Sequence, residues 1–354
     1  MVGTDGVLPL PWLAPVLRQT LASQHAHALL LHGPQGVGQF ELAMTLAQAW
    51  LCEAAQGGAR PCGACASCRL VQAHSHPDLL VLMPEALQQA LGWGATDADE
   101  AAATERASKA KPSSEIKVEA VRRAVSFAQT TSARGRVKVV VLHPAERMNG
   151  ISANTLLKTL EEPAGDARFV LSCAAPDALL PTIRSRCQAV VMGLPPTAQA
   201  VEWLSAQGVA DAAVMLAATG GQPQEALAWS QQGIDAALWT RLPSLVAQGL
   251  PQPLGAWPLP RVVDALQKLC HDVACVTAGA APRYFPVASL QHAAQAGALV
   301  EWMRELDRIA RRADHPWNAG LVTESLVQQG QRALAVPARA APAARGVSVH
   351  SRHE

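Results

Sequence analysis

Short apolar runs alternate with amphipathic stretches over roughly the first 190 residues of the chain. The runs are continuous and rich in β-branched residues, which is typical of parallel strands covered on both faces. The stretches between them carry apolar residues at helical spacing. This alternation predicts a doubly wound α/β domain with a parallel sheet over residues 1–194. The predicted strands lie in AHALLLHG, PDLLVLMP, VKVVVLHP and ARFVLSCAA, and the predicted helices lie in QFELAMTLAQAWLC, SEIKVEAVRRAVSFAQ and ISANTLLKTLEE.

The pattern changes after residue 194, where only helical periodicity remains. Short helices that end at glycines predict a small helical domain over 195–240, and longer amphipathic segments predict a second one over 241–335. Residues 92–114 are small and polar without periodicity, so we expect a mobile, disordered surface insertion there. The tail 336–354 has the Ala/Pro/Arg composition of a disordered end.

Composition fits a folded protein and excludes few functions. Hydrophobic residues make up 49% of the chain and charged residues 16%, and the formal net charge of +1 gives no argument for nucleic-acid binding. No apolar run approaches the roughly 20 residues that span a bilayer. The first residues lack the basic start and apolar core of a signal peptide. We therefore expect a cytoplasmic protein without a membrane partner.

Four of the eight cysteines are clustered in the pattern C-x9-C-x2-C-x2-C. Such spacing can deliver four thiolates to one tetrahedral zinc ion and leaves no open position for catalysis. An iron–sulfur cluster and free thiols are the alternatives, but the Cys-Pro that follows a ferredoxin triplet is absent. His74 and His76 are less natural substitute ligands. The predicted ligands of a structural zinc ion are Cys52, Cys62, Cys65 and Cys68.

The stretch LLLHGPQGVGQF places a glycine loop between a predicted strand and a predicted helix. A phosphate-binding P-loop reads G-x-x-x-x-G-K-S/T in that setting, where its Lys neutralises phosphate and its hydroxyl ligates Mg²⁺. Gln39 stands at the Lys position and Phe40 at the hydroxyl position. The loop itself is retained as Gly33, Gly36 and Gly38.

The acidic residues that a P-loop ATPase needs after a hydrophobic strand are also missing. His143 and Pro144 follow the strand VKVVVL, and the nearest acid, Glu146, comes two positions late. Because Lys, hydroxyl and both carboxylates are lost together, we do not expect ATP hydrolysis. Weak nucleotide binding by the backbone amides of the loop stays open as an alternative.

Two arginines follow the ARFVLSCAA strand, in PTIRSRC. A surface arginine is usually only solvated, but in oligomeric P-loop machines an arginine can reach a neighbour's site and stabilise charge on the γ-phosphate. Arg184 and Arg186 are the two candidates for such a role.

Several of these motifs together resemble the bacterial clamp-loader subunits of DNA polymerase III, and within them the delta prime group. They are NTLLKTLEEP (154–163), LLPTIRSRCQ (179–188), the altered P-loop and the four-cysteine module. The resemblance runs through residues 10–335, apart from the 92–114 insertion. It implies an AAA+ fold with a zinc module at 52–68, a helical lid at 195–240 and a C-terminal collar domain at 241–335.

The resemblance also implies a role without catalysis by this chain. It implies a rigid stator in a hetero-pentamer with motor (gamma/tau-type) and delta-type subunits, which loads the sliding clamp onto primed DNA. Arg186 would complete the ATP site of the adjacent motor subunit as an arginine finger. The resemblance leaves Arg184 as the weaker candidate, with a structural or salt-bridging role. The four cysteines match the family's zinc ligands.

Other functions are less well supported by the residues. An ATP-hydrolysing motor subunit of the same machine would need Lys and Thr in place of Gln39 and Phe40. A zinc-dependent DNA-binding module would need a basic, aromatic-rich surface near the cysteines, where Arg60 and Arg69 are the basic residues. A nucleotide-dependent kinase would need a phosphate-binding Lys.

Overall fold

The computed structural model describes residues 1–23, 26–54, 60–93, 112–290, 294–312 and 315–335. They form two compact units. The first comprises Met1–Ala212 with Gly221–Gln231, and the second comprises the described residues of Ala213–Gly220 and Gln232–Glu354. The domain limits at 194 and 240 stay predictions, and the tail 336–354 lies outside the described residues.

The first unit is built on a five-stranded parallel sheet with the order β2-β3-β4-β1-β5. The four predicted strands are confirmed. The fifth strand was not predicted, because it lies at an edge of the sheet and three of its four residues are exposed. The strands are β1 Ala28–His32, β2 Leu79–Leu82, β3 Lys138–Leu142, β4 Ala167–Cys173 and β5 Gln188–Val191.

Successive strand residues enter two apolar layers, one on each face of the sheet. Leu29 and Leu31 of β1 pack in one layer with helix α2, whereas Leu30 packs in the other with helices α5 and α6. Burial on both faces explains the continuous apolar runs in the sequence. The helices of the first unit are α1 Leu13–Ser23, α2 Gln39–Leu51, α3 Ala66–Gln72, α4 Glu85–Ala90, α5 Val118–Ala128, α6 Gly150–Glu161, α7 Pro181–Arg184, α8 Thr197–Ala206 and α10 Pro223–Gln231, and the intervening α9 Ala212–Ala218 belongs almost wholly to the second unit.

A buried carboxylate ties the start of β3 to the loop before it. Asp78 is fully buried and accepts hydrogen bonds from the backbone N–H groups of Ala133 (2.7 Å) and Arg134 (3.0 Å). The Nζ of Lys138, itself 8% exposed, lies 3.3 Å from Asp78 Oδ1. These bonds hold the pKa of Asp78 below its ordinary value although burial raises it.

The ends of the 92–114 segment differ from the expected mobile insertion. The ring of Trp93 stacks on His74 with centroids 3.7 Å apart, and the N–H of Ser113 donates to Glu85 Oε2 at 3.1 Å. Both ends are therefore tied to the first unit. Residues 94–111, on which the rest of that expectation falls, lie outside the described residues.

The second unit is helical in its described residues, as predicted for this part of the chain. Gly330 lets its helices approach closely, because a Cβ there would lie 2.6 Å from Val246 and 2.7 Å from Trp302. Within the described residues, no helix is long and apolar enough to cross a membrane. The longer helices of the second unit are α11 Ala236–Ala247, α12 Leu259–Thr277, α13 Ala296–Ala310 and α14 Ala319–Leu334.

Candidate functional site

The glycine loop lies at the carboxyl end of β1, between that strand and α2. Ligands of parallel α/β sheets bind in the crevice outside this edge. Gly36 and Gly38 have φ values of 74° and 101°, which favour glycine, and a Cβ on Gly33 would lie 2.1 Å from the carbonyl oxygen of Met192. The loop therefore needs its glycines for backbone geometry, whether or not it binds a ligand.

The side chain of Gln39 folds back onto the loop that precedes it. Its Nε2 donates to the carbonyl oxygens of Gly33 (2.9 Å) and Pro34 (2.5 Å), and the residue is 6% exposed. A neutral amide thus binds the loop's own carbonyls at the position where a P-loop carries a Lys. The loop gains no positive charge from this side chain to offset phosphate.

Aromatic side chains fill the positions that would hold Mg²⁺ in a P-loop enzyme. The ring of Phe40 lies 4.8 Å from that of His143 and 6.0 Å from that of Trp93, between centroids. The Nδ1 of His143 lies 2.9 Å from Ser172 Oγ, and burial lowers the pKa of His143 to about 4. The imidazole is therefore neutral near pH 7 and, unlike a carboxylate, supplies no negative charge to a cation.

A depression of about 700 Å³ opens between the glycine loop and the residues that follow β3 and β4. Glu146 lines it, and its Oε1 accepts a hydrogen bond from the N–H of Ala174 at 2.9 Å. Glu41 and Glu225 also line it, whereas Arg147 is its one Arg or Lys. This excess of carboxylates opposes the binding of a polyphosphate. The sequence alone does not reveal that Glu146 lines this depression, because the fold brings Glu146 and the glycine loop to the same depression.

The four clustered cysteines meet beside α3. Their sulfurs lie within 4.8 Å of one another, with Sγ–Sγ distances of 3.9 Å for Cys62–Cys68 and 4.0 Å for Cys52–Cys65. Zinc–sulfur bonds of about 2.3 Å in a tetrahedron place sulfurs about 3.8 Å apart. The donor set and its dimensions therefore fit a tetrahedral zinc ion.

Backbone N–H groups point at these sulfurs. Cys65 N–H donates to Cys62 Sγ and Cys68 N–H donates to Cys65 Sγ, both at 3.4 Å. Donors from Cys65 and Ala64 lower the pKa of Cys62 to about 6, whereas burial raises the pKa of Cys52 and of Cys68. A cation would favour the thiolate at all four positions.

Neither of the two possible substitute ligands, His74 and His76, joins this cluster. His76 Nε2 lies 2.7 Å from Ser67 Oγ, and the Ser67 hydroxyl donates to the carbonyl oxygen of Leu51. His74 stacks on Trp93 instead. Within the described residues, the metal-ligand geometry is that of four thiols.

Arg186 and Arg184 are each held by a carboxylate. Arg186 Nε donates to Glu161 Oε1 at 2.6 Å, Nη2 contacts the same oxygen, and Nη1 donates to the carbonyl oxygen of Thr182 at 2.8 Å. Arg184 Nη1 lies 2.8 Å from Asp177 Oδ1. The predicted salt-bridging role of Arg184 agrees with this contact. The partner of Arg186 was missed, because an ion pair between residues 25 positions apart leaves no periodic signal in the sequence.

Comparison with known proteins identifies the family of the chain. A family model described as "DNA polymerase III, delta subunit" matches residues 13–195, about half of the chain. The delta prime subunit of Pseudomonas aeruginosa is 40% identical over 217 residues, and that of Escherichia coli K12 is 35% identical over 228 residues. The chain belongs to the delta prime family of DNA polymerase III subunits.

Each of these relatives is matched over part of its length. The P. aeruginosa alignment covers 60% of this chain, the E. coli alignment covers 62%, and the chain spans about 58% and 60% of those relatives' lengths. The tau subunit of Salmonella typhimurium is 34% identical over 161 residues, 46% of this chain and 21% of that protein. A solved gamma-subunit-related chain from Thermotoga maritima aligns with 17% identity and a TM-score of 0.43, over 91% of this chain and 99% of that one.

The matched family model covers most residues of the candidate site. Its span of 13–195 includes the glycine loop, the four cysteines, the residues after β3 and both arginines. The second unit lies outside that span.

Proposed function

We propose that the chain is a non-catalytic subunit of the bacterial replicative clamp loader in the cytoplasm. It assembles with motor (gamma/tau-type) and delta-type subunits in a hetero-pentamer that loads the sliding clamp onto primed DNA. One observation carries this proposal. In this member of the delta prime family, Gln39 occupies the Lys position of the P-loop and binds carbonyl oxygens of the glycine loop. The AAA+ fold, the lid at 195–240 and the collar at 241–335 belong to the same proposal.

The competing assignment is a motor subunit, and the similarity to a tau subunit favours it. Gln39 and Phe40 disfavour the motor assignment, because they supply neither the positive charge nor the Mg²⁺ ligand of a P-loop. His143 is neutral and packs on Phe40. We therefore assign ATP hydrolysis to other subunits of the assembly.

Arg186 acts in this proposal as the arginine finger of the adjacent motor subunit. The location of the Arg186 side chain at the surface supports this role. The guanidinium borders an open depression of about 470 Å³ that Ser185 and His27 also line, and its side chain is 30% exposed. A guanidinium at an accessible surface can reach an anionic group on a neighbour.

The cysteines hold a structural zinc ion in this proposal. Cys52 follows α2, and Cys65 caps the start of α3, so one ion would cross-link the end of α2 and the start of α3. Zinc supplies cross-linking here and no reaction step, because four protein ligands fill its coordination shell.

Reconstitution tests the assignment. The purified chain should show no ATP turnover, and the assembly of motor and delta-type subunits should load the clamp onto primed DNA only when the chain is added. ATP turnover by the chain alone would instead establish the motor assignment. Clamp loading at an unchanged rate without the chain would refute a role in the assembly.

A further inference from the structure

The guanidinium of Arg186 is fixed by two elements of the first unit. Glu161, the last residue of α6, binds Nε and Nη2, while the carbonyl oxygen of Thr182 in α7 binds Nη1 at 2.8 Å. The contacts therefore restrain both the plane of the group and its rotation about the side-chain axis. Glu161 is 47% exposed in its side chain, so the pair stands at the surface and not in the core.

These contacts leave part of the guanidinium available to a ligand. Arginine carries five N–H donors, and the bonds to Glu161 and Thr182 engage three of them. One of the two remaining donors belongs to Nη1, which lies 3.5 Å from Ser185 Oγ, at the limit of a hydrogen bond. The other belongs to Nη2 and is the donor that these contacts leave open.

The second arginine provides an internal comparison. Arg184 Nη1 meets Asp177 at 2.8 Å, but that carboxylate is 93% exposed in its side chain. A single contact to so exposed a partner restrains a long side chain weakly. Arg186 differs from Arg184 by its bonds to two separate elements of the fold.

We propose that Glu161 is a positioning residue that orients Arg186 so that its open Nη2 donor addresses an anionic phosphate group of the neighbouring subunit. This inference rests on the proposed role of Arg186 as an arginine finger. A pre-oriented guanidinium loses less freedom when the charge on the phosphate develops, so the benefit falls on the chemical step. Glu161 itself does not touch the nucleotide.

The test is ATP hydrolysis by the reconstituted assembly, stimulated by clamp and primed DNA. Glu161→Ala should lower kcat on the order of tenfold with little change in KM, because positioning affects the transition state more than binding. Glu161→Gln, which keeps an acceptor oxygen, should recover part of this loss. Glu162→Ala is the matched control on the next residue and should leave kcat unchanged. Combining Glu161→Ala with Arg186→Ala should give no further loss than Arg186→Ala alone.

The isolated chain supplies a second readout that does not depend on the assembly. In NMR spectra the Arg186 Nε–H signal should be protected from exchange in the wild type and lost in Glu161→Ala. The thermal midpoint of that variant shows whether it remains folded. If Arg186→Ala lowers kcat and Glu161→Ala does not, the positioning role is wrong and the finger remains. If Arg186→Ala has no effect in an intact assembly, Arg186 is not an arginine finger, and the positioning role of Glu161 is then also wrong.

Discussion

Phe40 and His143 pack ring against ring, with centroids 4.8 Å apart, at the edge of the sheet where the glycine loop begins α2. In a P-loop enzyme these positions would carry the Mg²⁺-binding hydroxyl and an acidic residue. Phe40 and His143 contact each other, so an aromatic contact occupies the place where a P-loop enzyme binds Mg²⁺. The loss of the hydroxyl and the loss of the acidic residue at position 143 are therefore structurally coupled.

Restoring the loop residues alone should not restore activity. We expect Gln39→Lys combined with Phe40→Thr to show no ATP hydrolysis, because His143 and Pro144 still supply no carboxylate. The double variant should also lose about 1–3 kcal/mol of stability, since Phe40 packs on His143 and Trp93. Phosphate release and urea unfolding measure the two effects.

Phe40→Thr alone is the control for the stability loss and should reproduce the part that comes from ring packing. ATP turnover by the double variant would show that the residues after β3 are no obstacle to hydrolysis.

His143 should make the stability of the chain depend on pH. Burial lowers its pKa to about 4 in the folded state, against about 6.5 in an unfolded chain. The folded state therefore binds fewer protons, so this contribution is fully present above about pH 6.5 and is lost as pH falls toward 4, to a total of about 3 kcal/mol. His143→Phe keeps a ring beside Phe40 but does not titrate. Unfolding free energies of both proteins between pH 7 and 4.5 should show a shallower slope for the variant, and equal slopes would contradict this.

The cysteine cluster should hold one zinc ion per chain. Elemental analysis of the purified protein should give one equivalent, and Cys62→Ser should reduce it. A chelator should lower the thermal midpoint, because the ion binds the folded state and contributes several kcal/mol. Cys275→Ser, which changes a thiol outside the cluster, should keep both the zinc and the midpoint. Stoichiometric iron with visible absorption would instead establish an iron–sulfur cluster.

The buried pair of Asp78 and Lys138 should be needed as a pair. Asp78→Asn leaves Lys138 buried without its counter-charge and should cost about 3–5 kcal/mol in urea unfolding. Lys138→Met in the same chain should recover part of that cost, since no uncompensated charge remains. A loss below about 1 kcal/mol for Asp78→Asn would contradict the role given to this carboxylate.

The sequence predicted the elements that have strong local patterns. Strands β1, β3 and β4 are continuous apolar runs because both of their faces are covered, and the cysteine spacing alone indicated four ligands around one ion. Strand β5 was missed because an edge strand with exposed residues lacks such a run.

Contacts between distant residues could not be predicted from one sequence. Trp93 lies in a segment without periodicity, yet it stacks on His74 and meets Phe40. Glu161 could be recognised only as a charged helix end, and its partner Arg186 became visible when the fold brought α6 beside α7. Side-chain orientation at Gln39 likewise depends on the loop carbonyls that surround it.

The central claim is that a chain without its own ATPase completes the ATP site of a neighbour. The most direct measurement is clamp- and DNA-stimulated ATP hydrolysis by the reconstituted assembly with Arg186→Ala, with Arg184→Ala as the matched control. We predict that Arg186→Ala assembles normally and lowers hydrolysis by roughly tenfold or more, while Arg184→Ala stays close to the wild type. Unchanged hydrolysis by an intact assembly carrying Arg186→Ala would contradict the claim.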